Sequence, residues 1–131
     1  MTMKHIFSII LGLMAFCQLQ AQSWTADNGN GTFTNPLFYD EFTDPDLIRV
    51  GTDYYMVASS MHAMPGLPLL RSKDLVNWEI LSYALTDETK FDIKGMDTAC
   101  GIWAPNLTYD NGTFYLIYTI VYTNRHRFKD T

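Results

Sequence analysis

The sequence predicts an all-β fold, on two observations. No segment sustains a helical period, whereas short runs of β-branched and aromatic residues recur between turn-forming residues. The chain also repeats itself: residues 42–60 align without a gap on residues 102–120. Pro45 falls on Pro105, Asp46 on Asn106, Leu47 on Leu107 and Tyr54 on Phe114. Tyr55 falls on Tyr115, Met56 on Leu116, Val57 on Ile117 and Ser59 on Thr119. A unit of about four short strands that returns at such a spacing is the pattern of stacked blades rather than of a sandwich.

The elements follow in order. Residues 1–21 stand outside the pattern. Lys4 and His5 precede an apolar run from Ile6 to Cys17, and Gln18-Leu19-Gln20-Ala21-Gln22 follows. A charged start, a short apolar centre and a small residue at the cut make a secretory signal peptide, cleaved near Ala21. The run is too short to span a bilayer as a helix. A lipoprotein signal through Cys17 is the alternative, but Phe16 stands where a small residue is expected. Residues 22–34, rich in Asn, Gly, Asp and Thr, form an N-terminal lead-in, and residues 35–131 carry the repeated unit.

Within that unit, strands are expected at Asp46–Val50, Tyr54–Ser60, Leu69–Ser72 and Trp78–Tyr83. They are separated by a turn at Gly51-Thr52-Asp53, a proline-bearing loop over Met61–Pro68 and a turn over Lys73–Asn77. A polar loop over Thr86–Thr98 leads to two more strands, Trp103–Tyr109 and Thr113–Tyr122, joined through Asp110-Asn111-Gly112. One blade and half of another cannot bury both of their apolar faces, and repeat folds need about three units or more. The chain is therefore expected to be the N-terminal part of a longer domain.

Charge removes some classes of partner. Without residues 1–21 the chain keeps eight basic and fourteen acidic side chains, a net charge of −6. Nucleic acid and anionic membrane both need a cationic face, so neither is expected as a partner. Only Cys100 remains after cleavage, which leaves no internal disulfide and reads as a small buried residue. No His and Cys cluster has metal-ligand spacing, and no glycine-rich phosphate loop or nucleophile elbow is present.

The chemical signal lies in one departure between the repeats. Asp44 precedes Pro45 where Ala104 precedes Pro105. A scaffold position that tolerates alanine in one copy carries an ionisable acid in the other. Pro45 is expected to bias Asp44 towards an extended backbone. Asp46, by contrast, has Asn106 as its counterpart, so both copies keep a short side chain with an oxygen. That pattern points to a backbone-bonding role.

Three separated segments carry a family resemblance: Phe42 to Gly51 with Tyr54-Tyr55, Ser72 to Trp78, and Gly101 to Leu107. Together they resemble the start of glycoside hydrolase family 43. The resemblance implies a five-bladed β-propeller, of which this chain supplies the first blade and part of the second. It implies inverting hydrolysis of β-xylosides or α-L-arabinofuranosides derived from hemicellulose, with a xylo- or arabino-oligosaccharide as partner. Asp44 matches the general base, while the acid and the residue that tunes it are expected beyond Thr131. Trp103 matches an aromatic that packs against the sugar. Met61 and His62 lie in a segment that matches a substrate-lining loop. No cofactor is required; a structural calcium is known in relatives, but none of these residues indicates a site for one. The protein is expected to be secreted or periplasmic, and this chain by itself to be inactive. A non-catalytic carbohydrate-binding propeller and a decayed gene product are the alternatives.

Overall fold

A computed structural model describes residues 25–86 and 93–122. The expected signal peptide and the C-terminal residues from 123 onwards lie outside these residues. Six strands are present: β1 (Thr43–Val50), β2 (Asp53–Ser59), β3 (Gly66–Ser72), β4 (Trp78–Leu85), β5 (Gly101–Asp110) and β6 (Thr113–Val121). The first four form an antiparallel sheet in the order β1-β2-β3-β4, and β5 and β6 form a second antiparallel sheet. The architecture is all-β: one complete blade of a β-propeller and the first hairpin of the next.

The repeat extends to the pairing register. Leu47 faces Met56 in the first blade as Leu107 faces Leu116 in the second. Each ladder then slips by one residue, between Thr43 and Asp46 and again between Trp103 and Asn106. Each slip is a β-bulge, in which two residues of one strand oppose one of its partner. The bulges hold Asp44-Pro45 and Ala104-Pro105. Their pre-proline residues have φ values of 45° and 43°, so Asp44 is left-handed rather than extended as the proline alone suggests. The extra residue must be absorbed somewhere, and the αL turn of the bulge absorbs it. As a result β1 starts at Thr43, ahead of the expected Asp46, and β5 at Gly101, ahead of Trp103.

β3 also begins earlier than expected, at Gly66, so Pro68 lies inside a strand. The ladder between β2 and β3 ends at the Val57–Leu69 pair. Beyond it β3 pairs only with β4, and a residue without an N–H removes no rung from β2. The β3–β4 turn is held by side chains. Asp74 Oδ1 accepts from Val76 N at 2.9 Å and from Asn77 N at 2.7 Å, and Oδ2 accepts from Asn77 Nδ2 at 2.9 Å. These donors, the Asn77 side chain first, hold the Asp74 carboxyl well below the usual carboxylate range. Asn77 Nδ2 also donates to Asp27 Oδ2 at 2.8 Å, tying the lead-in to the blade.

The core lies between the two sheets. Val57, Leu67, Ile102 and Leu107 form its buried centre, and Ile48, Tyr55, Leu69, Leu116 and Tyr118 pack around them. Side chains alternate along each strand, so Val57 and its neighbours on one face of β2 meet the Leu107 and Leu116 face of the second hairpin. Tyr55 and Phe114 complete the contact with ring centroids 4.9 Å apart.

Burial of repeat-equivalent residues reports which faces are covered. Val57 is 0% exposed, yet its counterpart Ile117 is 72% exposed. Leu107 is 3% exposed, yet its counterpart Leu47 is 44% exposed. The chemistry at each pair is alike; what differs is whether another blade stands opposite. Among the described residues the Ile117 face of the second hairpin is open, whereas the outer face of the first blade is open at Leu47 but closed at Met56 and Leu70, 5% and 2% exposed.

Candidate functional site

The candidate site forms where the two bulges approach each other. Asp44 stands in the bulge of β1, exposed, with its carboxylate Oδ2 accepting a hydrogen bond from Ser59 Oγ at 3.1 Å. Ser59 closes β2 opposite Thr43 and is 3% exposed. Its Oγ accepts a second bond, from the backbone N–H of Ala104, at 2.9 Å. One hydroxyl thus joins the acid of the first repeat to the backbone of the position that replaces it in the second.

Asp46 does something else. Its Oδ1 accepts from Leu47 N at 3.0 Å, the local backbone contact that the Asn106 counterpart suggests. Its Oδ2 reaches the next blade, accepting from Asn106 Nδ2 at 2.9 Å and Leu107 N at 2.6 Å. With three donors aimed at it, this carboxylate is built to accept bonds and to hold two blades together.

The loop after β2 adds a third junction. Met61 N donates to Ile102 O at 3.1 Å, and Met61 O accepts from Ile102 N at 2.8 Å. Met61 is therefore bridged to Ile102, the residue next to Trp103. The approach is close because Gly101 permits it: a Cβ there would stand 2.1 Å from Met61 O, at a φ of 120°. Trp103 is half-buried, and its indole Nε1 donates to Ala99 O at 2.8 Å, which fixes the ring plane. His62 is exposed and lines a depression of about 290 Å³ with Ile93, Lys94, Gly95, Met96 and Thr98.

The fold thus gathers Asp44, Met61 and Trp103 around the β1–β2–β5 junction, while His62 turns to the depression beside residues 93–98. Ser59 was not singled out by the sequence reading. The available signal was that its counterpart Thr119 also bears a hydroxyl. Cys100 is buried and free, as its position beside Gly101 suggests. Among the described residues no group of three His, Cys, Asp or Glu is arranged to hold a metal ion.

Comparison with known proteins assigns the chain to a family. Residues 33–130 match the profile of Glycosyl hydrolases family 43, and the chain belongs to that family. It is 40% identical over 94 residues to a xylan 1,3-beta-xylosidase from Vibrio sp., spanning 72% of this chain and 18% of that protein. It is 42% identical over 89 residues to a non-reducing end alpha-L-arabinofuranosidase from Bacteroides ovatus, spanning 67% of this chain and 17% of that protein. Among solved structures, a xylan beta-1,4-xylosidase from Bacillus halodurans superposes with a TM-score of 0.63 at 44% identity, covering 67% of this chain and 17% of that one. The chain spans less than a fifth of the length of each of these relatives.

Proposed function

We propose that this chain is the N-terminal part of an exported glycosidase that hydrolyses β-xylosides or α-L-arabinofuranosides with inversion, and that Asp44 is its general base. One observation carries the assignment of the base. Two repeats share one bulge geometry, and only the first arms it with a carboxylate, which Ser59 holds in place. The names of the relatives support the substrate class.

The chemistry follows from the reaction. Inversion needs a base and an acid ~6.5–9.5 Å apart, with a water between the base and the sugar. Asp44 would take a proton from that water as its oxygen bonds to the anomeric carbon. The glycosidic bond breaks on the opposite face, and its oxygen receives a proton from the acid. Asp46 does not fit the acid's role, because an acid must donate and this carboxylate already accepts three bonds. The family resemblance implies that the acid comes from a later blade, so this chain alone is expected to release no product. Trp103 and Met61 would line the sugar's side of the site, with the indole offering a flat apolar surface to the ring; His62, in the neighbouring depression, would reach only a longer substrate.

The test joins residues 25–122 to the remainder of the Bacillus halodurans xylosidase and follows nitrophenol release from aryl xylosides and arabinofuranosides. Turnover by the hybrid, with Asp44→Asn lowering kcat by about 10²–10⁴-fold, is the expected result. A folded hybrid that binds xylan, never hydrolyses it and ignores Asp44→Asn would instead mark a carbohydrate-binding propeller.

A further inference from the structure

We infer that Ser59 is the positioning residue of the Asp44 carboxylate, and that it takes its own orientation from the second blade. The inference rests on the reading of Asp44 as base. Three observations carry it. Ser59 Oγ lies 3.1 Å from Asp44 Oδ2 and 2.9 Å from Ala104 N. Its residue is 3% exposed, so solvent does not compete for the hydroxyl. Asp44 itself is exposed and held in a left-handed bulge, where the described residues give its carboxylate this one hydrogen bond.

The direction of each bond is fixed by chemistry. An amide N–H only donates, so Ser59 Oγ must accept from Ala104. An ionised carboxylate only accepts, so the single hydroxyl proton must go to Asp44. The chain of bonds therefore runs one way, from the backbone of the second blade through Ser59 to the acid of the first. Two bonds on one oxygen leave the hydroxyl no free rotation. An exposed aspartate would otherwise sample several rotamers, and misplacement by about 1 Å costs a reaction on the order of 10²-fold.

The second repeat separates the two halves of this role. Thr119 keeps the hydroxyl at the equivalent position, although Ala104 offers it no side-chain oxygen. Accepting a backbone N–H from a neighbouring blade is thus a task open to both copies. Donation to a carboxylate belongs to the first alone.

The experiment uses the hybrid protein described above and compares Ser59→Thr with Ser59→Val, which match in shape and differ in the hydroxyl. Ser59→Thr is expected to keep kcat near the parent's. Ser59→Val is expected to lower kcat about 10–100-fold with KM little changed. Val57→Ala serves as the control, since it loosens the same blade contact without touching Asp44. Ser59→Val with an undiminished kcat overturns the inference, and so does Val57→Ala reproducing its loss. Full activity in Asp44→Asn is a different result, and overturns the assignment of the base instead. An NMR measurement on the unsubstituted 131-residue chain needs no variant to fold. Side-chain couplings should report a single χ1 rotamer for Asp44, and averaged couplings would count against Ser59.

Discussion

Two aspartates two residues apart carry opposite duties here, and the difference lies in what surrounds each oxygen. Asp46 accepts three hydrogen bonds, two of them from the next blade, and Leu107 N is part-buried. Asp46→Ala strands those donors, and an unsatisfied part-buried N–H costs about 1–3 kcal/mol. Thermal unfolding should show that loss, while Asp46→Asn, which keeps an accepting oxygen, should lose less. Asp74 gives a pH signature of its own. Its folded carboxyl titrates below the ordinary 3.8, because the Asn77 side chain and the Val76 and Asn77 backbone donate to it. The folded state thus binds the proton less readily than the unfolded chain. The stabilisation is complete above pH ~4 and fades as pH falls through the folded value. Urea midpoints measured from pH 7 to pH 2 should fall less steeply for Asp74→Asn than for the parent.

At the scale of the element, the repeat supplies its own controls. Val57 and Ile117 hold the same register, yet one is fully buried and the other 72% exposed. Val57→Ala opens a cavity in the inter-sheet core and should cost about 1–3 kcal/mol. Ile117→Ala should change stability by less than about 0.5 kcal/mol in the chain alone. Chemical denaturation of the two variants checks the contrast. The same elements show what was legible in the sequence. Five of the six strands could be read from β-branched and aromatic runs, whereas β3, which has neither residue type, was legible only as a short apolar run between turn signals. The bulges could not be read, because an X-Pro pair signals extended backbone and only the ladder shows the extra residue. Asp44 was visible through its Ala104 counterpart. Ser59 was not, since its importance depends on a contact with residue 104, far along the chain.

For the whole molecule, the open face of the second hairpin decides behaviour. β6 reads Thr-Phe-Tyr-Leu-Ile-Tyr-Thr-Ile-Val, without charge or proline, and pairs on one side only among the described strands. Such an edge is a template for pairing with another chain. The chain studied alone should self-associate as concentration rises, and Ile117→Lys should suppress this in sedimentation velocity. In the hybrid, where another blade would cover that face, the same substitution should instead destabilise. One residue then changes sign with context, from a solubilising position to a core position.

Gly101 shows how little of this molecule's tolerance to change is set by chemistry. It bears no functional group and pairs with Val121, away from the Asp44 bulge. Yet any side chain there would meet the Met61 carbonyl at 2.1 Å. A saturation survey of the gene should therefore find two kinds of forbidden codon side by side. Codon 44 would admit replacements that fold and do nothing, whereas codon 101 would admit none that let the two blades meet.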